Sequence, residues 1–232
     1  MAKIAKLPIS MTNREILLGL GYAVIDLFFL PAILNTMNQQ LLRPLSGAWL
    51  NFLYFSLNFV FLLTIFSRFL RRCVAYCGKH IGNFFTAAVT GFVGYWLCNV
   101  ALSFLILLIF PDYANPNDGS IADMVSGNFA IMAIGSALFV PIAEELIHRG
   151  LVFGLIARKN RLFGYAVSTL FFAAIHVIGY IGFCSQRDLL LALIQYLPAG
   201  LILGWAYEKS GTIFAPIAIH MVVNAMGIYA MR

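Results

Sequence analysis

Apolar stretches of about 20 residues recur along the whole chain, and short segments rich in Lys, Arg, Pro, Asn or Gly separate them. Seven such runs lie at about 16–37, 48–70, 85–110, 128–156, 162–183, 188–207 and 212–231. A helix needs roughly 20 apolar residues to cross a ~30 Å hydrocarbon layer. The pattern therefore predicts an all-α, polytopic integral membrane protein with about seven transmembrane helices.

Composition supports this class, because 62% of the 232 residues are hydrophobic and only 10% are charged. Such a chain has too little polar surface to cover a soluble globule. The runs fill nearly the whole length, which predicts a single membrane domain over residues 1–232.

Basic residues orient the chain, since Lys and Arg gather in cytoplasmic loops. Placing the N-terminus in the cytoplasm puts most of them on that side and leaves Arg43, Arg187 and Arg232 outside; the cytoplasmic set is Lys3, Lys6, Arg14, Arg68, Arg71, Arg72, Lys79, Arg158, Lys159, Arg161 and Lys209. The acidic segment 111–126 is predicted to be an irregular extracytoplasmic connection. Cations spread over short loops argue against a nucleic-acid partner.

The predicted fourth span contains four titratable residues, and ionisable groups inside a bilayer are kept mainly where they pair, line a cavity or do chemistry. These residues are Glu144, Glu145, His148 and Arg149. On a helix Glu145 and Arg149 are one turn apart and can form an ion pair, whereas Glu144 points about 100° away from Glu145. We expect His148 to be a packing residue.

Two further spans contribute polar residues at a spacing of four, which places each pair on one helix face. Phe172 and His176 form the first pair, and His220 and Asn224 form the second. Measured from the predicted cytoplasmic helix ends at ~1.5 Å per residue, Glu144 lies ~18 Å deep, His176 ~21 Å and His220 ~12 Å. Three helices thus bring these groups to a similar depth.

The three motifs resemble those of the CPBP family, the Rce1-like intramembrane proteases that process CAAX proteins and bacteriocins. EELIHR at 144–149 resembles the family's EExxxR, FAAIH at 172–176 its FxxxH, and HMVVN at 220–224 its HxxxN. The resemblance covers about 136–227, which would be the catalytic core, whereas the three spans within 1–127 are not diagnostic.

The resemblance implies an intramembrane endopeptidase with its site between spans 4, 5 and 7. Glu144 would be the general base, and His176 would hold the attacking water. His220 and Asn224 would form the oxyanion hole, and Glu145, Arg149 and Phe172 would support the site. Burial makes a carboxylate a stronger base, which suits this role.

Alternatives remain for the chemistry and for the function. Two imidazoles and a carboxylate are also a zinc ligand set, here Glu144, His176 and His220, although no cofactor is favoured. The chain could instead be a non-catalytic member of the fold that binds a membrane partner protein, such as a sensor kinase or a bacteriocin receptor. For an enzyme in a bacterial cell membrane, we expect a small peptide precursor or a membrane-associated protein as substrate, entering from the cytosol or the inner leaflet.

Overall fold

A computed structural model describes residues 7–232, and all regular secondary structure in this part of the chain is helical, which confirms the all-α prediction. Lys3 and Lys6, which were assigned to the cytoplasmic side, lie outside the described residues. The helices are α1 (Asn13–Phe28), α2 (Leu30–Gln39), α3 (Gly47–Ile65), α4 (Ser67–Lys79), α5 (Ile81–Ile109), α6 (Pro116–Gly127), α7 (Phe129–Ile156), α8 (Arg161–Val177), α9 (Gln186–Ser210) and α10 (Phe214–Ala230).

Five of these helices are long and apolar enough to cross a membrane, namely α3, α5, α7, α8 with the 3₁₀ turn that extends it to Tyr180, and α9. The bent pair α1 and α2, with an angle of 45° between them, would make a sixth span. Helix α10 is apolar but has only 17 residues. The polytopic membrane architecture is therefore confirmed, whereas the count of seven spans is not.

The prediction of an irregular connection over 111–126 holds only for 111–115 and is wrong for the rest, because residues 116–127 form helix α6. Asn115 caps this helix by accepting hydrogen bonds from the backbone N–H groups of Asn117 and Asp118. Pro116 occupies the first helical position, where a missing N–H costs nothing. The polar composition of the segment concealed a well-capped helix.

Helix α7 contains two π-helical segments, Gly135–Phe139 and Leu146–Phe153, on either side of the turn with the two glutamates. In the first segment the N–H of Val140 bonds to the carbonyl of Gly135, five residues earlier. The next carbonyl in that register, Ser136, would pair with Pro141, which has no N–H. Asn224 of α10 donates to the Ser136 carbonyl instead, at 2.9 Å, and so joins the two helices.

Close contact between α8 and α9 depends on glycine. A Cβ atom placed on Gly200 would lie 2.7 Å from Cγ2 of Thr169, and one on Gly204 would lie 3.2 Å from the ring of Tyr165. Small residues allow helix backbones to approach in this way within membranes. The pair of helices thereby holds the residues around His176 against the middle of α9.

Candidate active site

The predicted ion pair between Glu145 and Arg149 forms at the centre of the bundle. Nη1 of Arg149 lies 3.0 Å from Oε1 of Glu145, and both side chains are 0% exposed. The other terminal nitrogen of Arg149 donates to the carbonyls of Ala199 and Gly200, at 3.3 Å each. The guanidinium also lies over the Phe172 ring, 4.4 Å from its centroid. One cation therefore ties α7 to α8 and α9.

Glu145 has a second partner, His220 of α10. The Nδ1 atom of His220 lies 2.9 Å from Oε1 of Glu145, the oxygen that Arg149 also contacts. Since a carboxylate only accepts, the proton of the His220 ring lies on Nδ1. The opposite ring atom, Nε2, lies 3.8 Å from Oε2 of Glu144.

The His176 ring of α8 is also protonated at Nδ1, and its Nε2 also faces Glu144. Its Nδ1 lies 2.7 Å from the carbonyl oxygen of Phe172, which can only accept, so this nitrogen carries the proton. Its Nε2 lies 4.0 Å from Oε2 of Glu144. The side chain of Phe172 contacts both imidazoles, with ring centroids 4.6 Å from His176 and 5.8 Å from His220.

The two adjacent glutamates have different environments. The Glu144 side chain is 21% exposed and lines a cavity, whereas that of Glu145 is fully buried. Oε2 of Glu144 has no hydrogen-bond partner among the described residues, although two imidazole nitrogens face it. Arg149 balances the charge of Glu145, whereas Glu144 lines the cavity with its Oε2 buried beside the two imidazoles.

Asn224 lines the same cavity, but its amide is directed to the backbone of α7. One of its two N–H groups is used by the Ser136 carbonyl, and the other has no acceptor among residues 7–232. The structure thus brings Glu144, His176 and His220 together, with Asn224 at the cavity wall. His148 packs against the rings of Phe171 and Phe172, as expected of a packing residue.

The cavity has a volume of about 1130 Å³ and extends from Glu144 to one end of the bundle. Near that end it is lined by Asn115 and Asp118, by Tyr180 and by Met231. The basic connection from Arg158 to Arg161 joins the opposite ends of α7 and α8. The cavity therefore extends toward the side of the membrane that lies opposite to this connection.

The residues at this site with metal-binding side chains are Glu144, His176 and His220. Their side chains offer a carboxylate and two Nε2 atoms without protons, which is suitable donor chemistry for zinc. Within residues 7–232, however, no group of three His, Cys, Asp or Glu side chains is spaced closely enough to hold a metal ion.

Two residues beside the site were not predicted from the sequence. Tyr196 of α9 stacks on His176, and Asn117 of α6 donates to the Tyr196 hydroxyl. The Asn115-Pro116 pair is a helix-start signal that could have indicated α6. No sequence signal pointed to Tyr196.

Residues 126–226 match the model of a family described as "Type II CAAX prenyl endopeptidase Rce1-like", and this segment contains all three motifs. The "UPF0177 protein YxdF" of Lactococcus lactis subsp. lactis (strain IL1403) is 30% identical over 95 residues, covering 41% of this chain and 47% of that protein. The "Putative membrane peptidase YdiL" of Bacillus subtilis (strain 168) is 28% identical over 109 residues, covering 47% of this chain and 40% of that protein.

The chain thus spans less than half the length of either curated relative. No solved structure matches it significantly. The family match covers the segment on which the motif resemblance rests, and the similarity to YdiL supports the same class of protein. Residues 126–226 of this chain are therefore similar to the Rce1-like family of CAAX prenyl endopeptidases.

Proposed function

We propose that this protein is an intramembrane endopeptidase that hydrolyses a peptide bond with a water molecule activated by Glu144. The observation that carries the proposal is the position of one oxygen, Oε2 of Glu144. It lies 4.0 Å from Nε2 of His176 and 3.8 Å from Nε2 of His220, at the inner end of the cavity. The family of the segment 126–226 supports the reaction class.

The distances suit a water between these groups. At 3.8–4.0 Å the atoms are too far apart for direct hydrogen bonds, but one water molecule can bond to a carboxylate and an imidazole across such a gap. Glu144 takes a proton from the water while the oxygen of that water attacks the peptide carbonyl carbon. The same proton then passes to the amide nitrogen as the carbon–nitrogen bond breaks, so that Glu144 is returned as a carboxylate.

The negative oxygen of the tetrahedral intermediate needs donors, which His220 and Asn224 supply in this proposal. For this role His220 enters the reaction with a second proton, taken up from solvent at Nε2, while its Nδ1 proton stays bonded to the Glu145 carboxylate. Asn224 contributes the N–H that the Ser136 carbonyl does not use. Glu145 would therefore support His220 as well as pair with Arg149.

For the substrate, we propose a small peptide precursor or a membrane-associated protein segment, because the cavity of about 1130 Å³ has room for several residues. Peptidomics of membranes from cells with the wild-type protein and with Glu144→Gln would identify it. Peptides that accumulate uncleaved only with the variant are expected, and identical peptide profiles would contradict the proposal.

A zinc-dependent form of the same site is the second candidate: both Nε2 atoms that face Glu144 carry no proton, but the three side chains would have to move closer together to hold an ion. Glu144, His176 and His220 would hold the ion, which would supply a Lewis acid to polarise the peptide carbonyl. Loss of cleavage with a chelator, and its recovery with added zinc, would favour this form. Cleavage unchanged by chelators would favour the glutamate form.

A non-catalytic partner-binding role is the third candidate, because Glu145, Arg149 and Asn224 each have a structural contact that could explain their presence. The test is a quadruple substitution of Glu144, His176, His220 and Asn224 to residues of similar size. An enzyme would lose its cellular effect, whereas a binding protein would retain it as long as the variant is present in the membrane at the wild-type level.

A further inference from the structure

We propose that Tyr196, held by Asn117, is a positioning residue for His176. The inference rests on the proposed function, because it concerns the imidazole that would hold the attacking water. It connects helix α6, which lies outside the three motifs, to the reaction site through Tyr196.

The His176 ring is fixed along one edge by its hydrogen bond to the Phe172 carbonyl, at 2.7 Å. A single bond at Nδ1 leaves the ring free to tilt about that contact, and tilting moves Nε2 relative to Glu144. The Tyr196 ring stacks on His176 with centroids 4.2 Å apart and an angle of 28° between the planes. This contact restricts the tilt and so holds Nε2 on the side of the carboxylate.

Tyr196 is itself held from α6. Nδ2 of Asn117 donates to the Tyr196 hydroxyl at 2.9 Å, and the Tyr180 hydroxyl donates to Oδ1 of Asn117 at 3.4 Å. The preceding residue of α9, Gln195, accepts hydrogen bonds from Asn115 and Tyr113, at 2.9 and 2.7 Å. Two consecutive residues of α9 are thus bound by the segment 113–117.

Substitutions of Tyr196 can separate a residue that only packs from one that positions the imidazole. Tyr196→Phe removes the bond to Asn117 and keeps an aromatic ring, whereas Tyr196→Leu removes the stacking as well. Tyr113→Phe is the matched control, since it removes a hydrogen bond from the same segment to Gln195, and Tyr113 does not line the cavity.

The experiment combines ¹⁵N-histidine NMR of the full-length protein in detergent with steady-state kinetics on a peptide found by peptidomics. The chain has four histidines, so each ring is assigned by single substitutions. Tyr196→Leu should shift the ring signals of His176 and lower kcat about tenfold or more with little change in KM. Tyr196→Phe should have a smaller effect on the His176 signals and on kcat. Adding Asn117→Ala to Tyr196→Phe should cause no further change, because the hydrogen bond between the two residues is already lost.

The proposal is overturned if Tyr196→Leu leaves the His176 signals and kcat as in the wild type, or if Tyr113→Phe changes both equally. The NMR result separates this proposal from the function on which it rests. If the His176 signals move in Tyr196→Leu but Glu144→Gln is fully active, the positioning contact is real and the proposed chemistry is wrong.

Discussion

Arg149 offers a direct test of what stabilises the centre of this bundle. Arg149→Met removes the cation that faces Glu145 at 3.0 Å and the two hydrogen bonds to the carbonyls of Ala199 and Gly200. Glu145 would then stay fully buried, with the Nδ1–H of His220 as its remaining hydrogen-bond partner. Removing one member of a buried ion pair costs about 3–5 kcal/mol, so we expect a loss of stability in this range.

The pair Arg161–Glu208 provides the matched control. Its atoms are closer, at 2.7 Å, but its side chains are 46% and 20% exposed. Exposed pairs contribute about 0–1 kcal/mol, because water solvates both charges when they separate. If distance alone mattered, Arg161→Met would be the more damaging change, whereas burial predicts the opposite order.

Both variants can be compared by equilibrium unfolding in mixed detergent micelles. At about 1.4 kcal/mol per tenfold, Arg149→Met should lower the folding equilibrium constant roughly 10²- to 10³-fold or more, and Arg161→Met less than about tenfold. Adding Glu145→Gln to Arg149→Met should recover part of the loss, because no unpaired charge would remain. Equal effects of the two single variants would refute the reasoning.

Two further predictions concern packing and an exposed ion pair. Gly200→Ala should destabilise the protein by about 1–3 kcal/mol in the same unfolding assay, because its Cβ would lie 2.7 Å from Thr169. Gly94→Ala is the control and should have little effect, because its Cβ would meet no atom within 4 Å. Equal losses of stability in the two variants would contradict the close α8–α9 contact. Arg187 donates to Asp112 at 2.9 Å and holds the pKa of that carboxyl below its usual range. This interaction is present at neutral pH and is lost as the pH falls through the lowered pKa. Arg187→Gln should raise the Asp112 pKa in an NMR titration, and an unchanged pKa would show that the contact does not form in solution.

Local spacing made part of the site predictable. Glu145 and Arg149 are four residues apart on one helix, and the regular geometry of the helix is enough to bring them together. The different directions of Glu144 and Glu145 follow from the same geometry. The three motifs also indicated which helices contribute to the site.

Contacts between distant segments could not be predicted in this way. The bond between His220 and Glu145 joins residues 75 positions apart, and it depends on how α10 packs on α7. The hydrophobic pattern does not show where the backbone hydrogen bonds of α7 change to the π-helical register. It therefore could not predict the hydrogen bond from Asn224 to the Ser136 carbonyl. Helix α6 was missed because polar residues outweighed its capping signal, and with it the contact between Asn117 and Tyr196.

The central claim is that Glu144, and not Glu145, activates the water. The most direct measurement is hydrolysis by purified, reconstituted wild-type protein and Glu144→Gln, with a peptide that accumulates in cells carrying the variant. The account predicts that Glu144→Gln abolishes cleavage while the unfolding midpoint stays at the wild-type value. Full activity in a folded Glu144→Gln protein would contradict it.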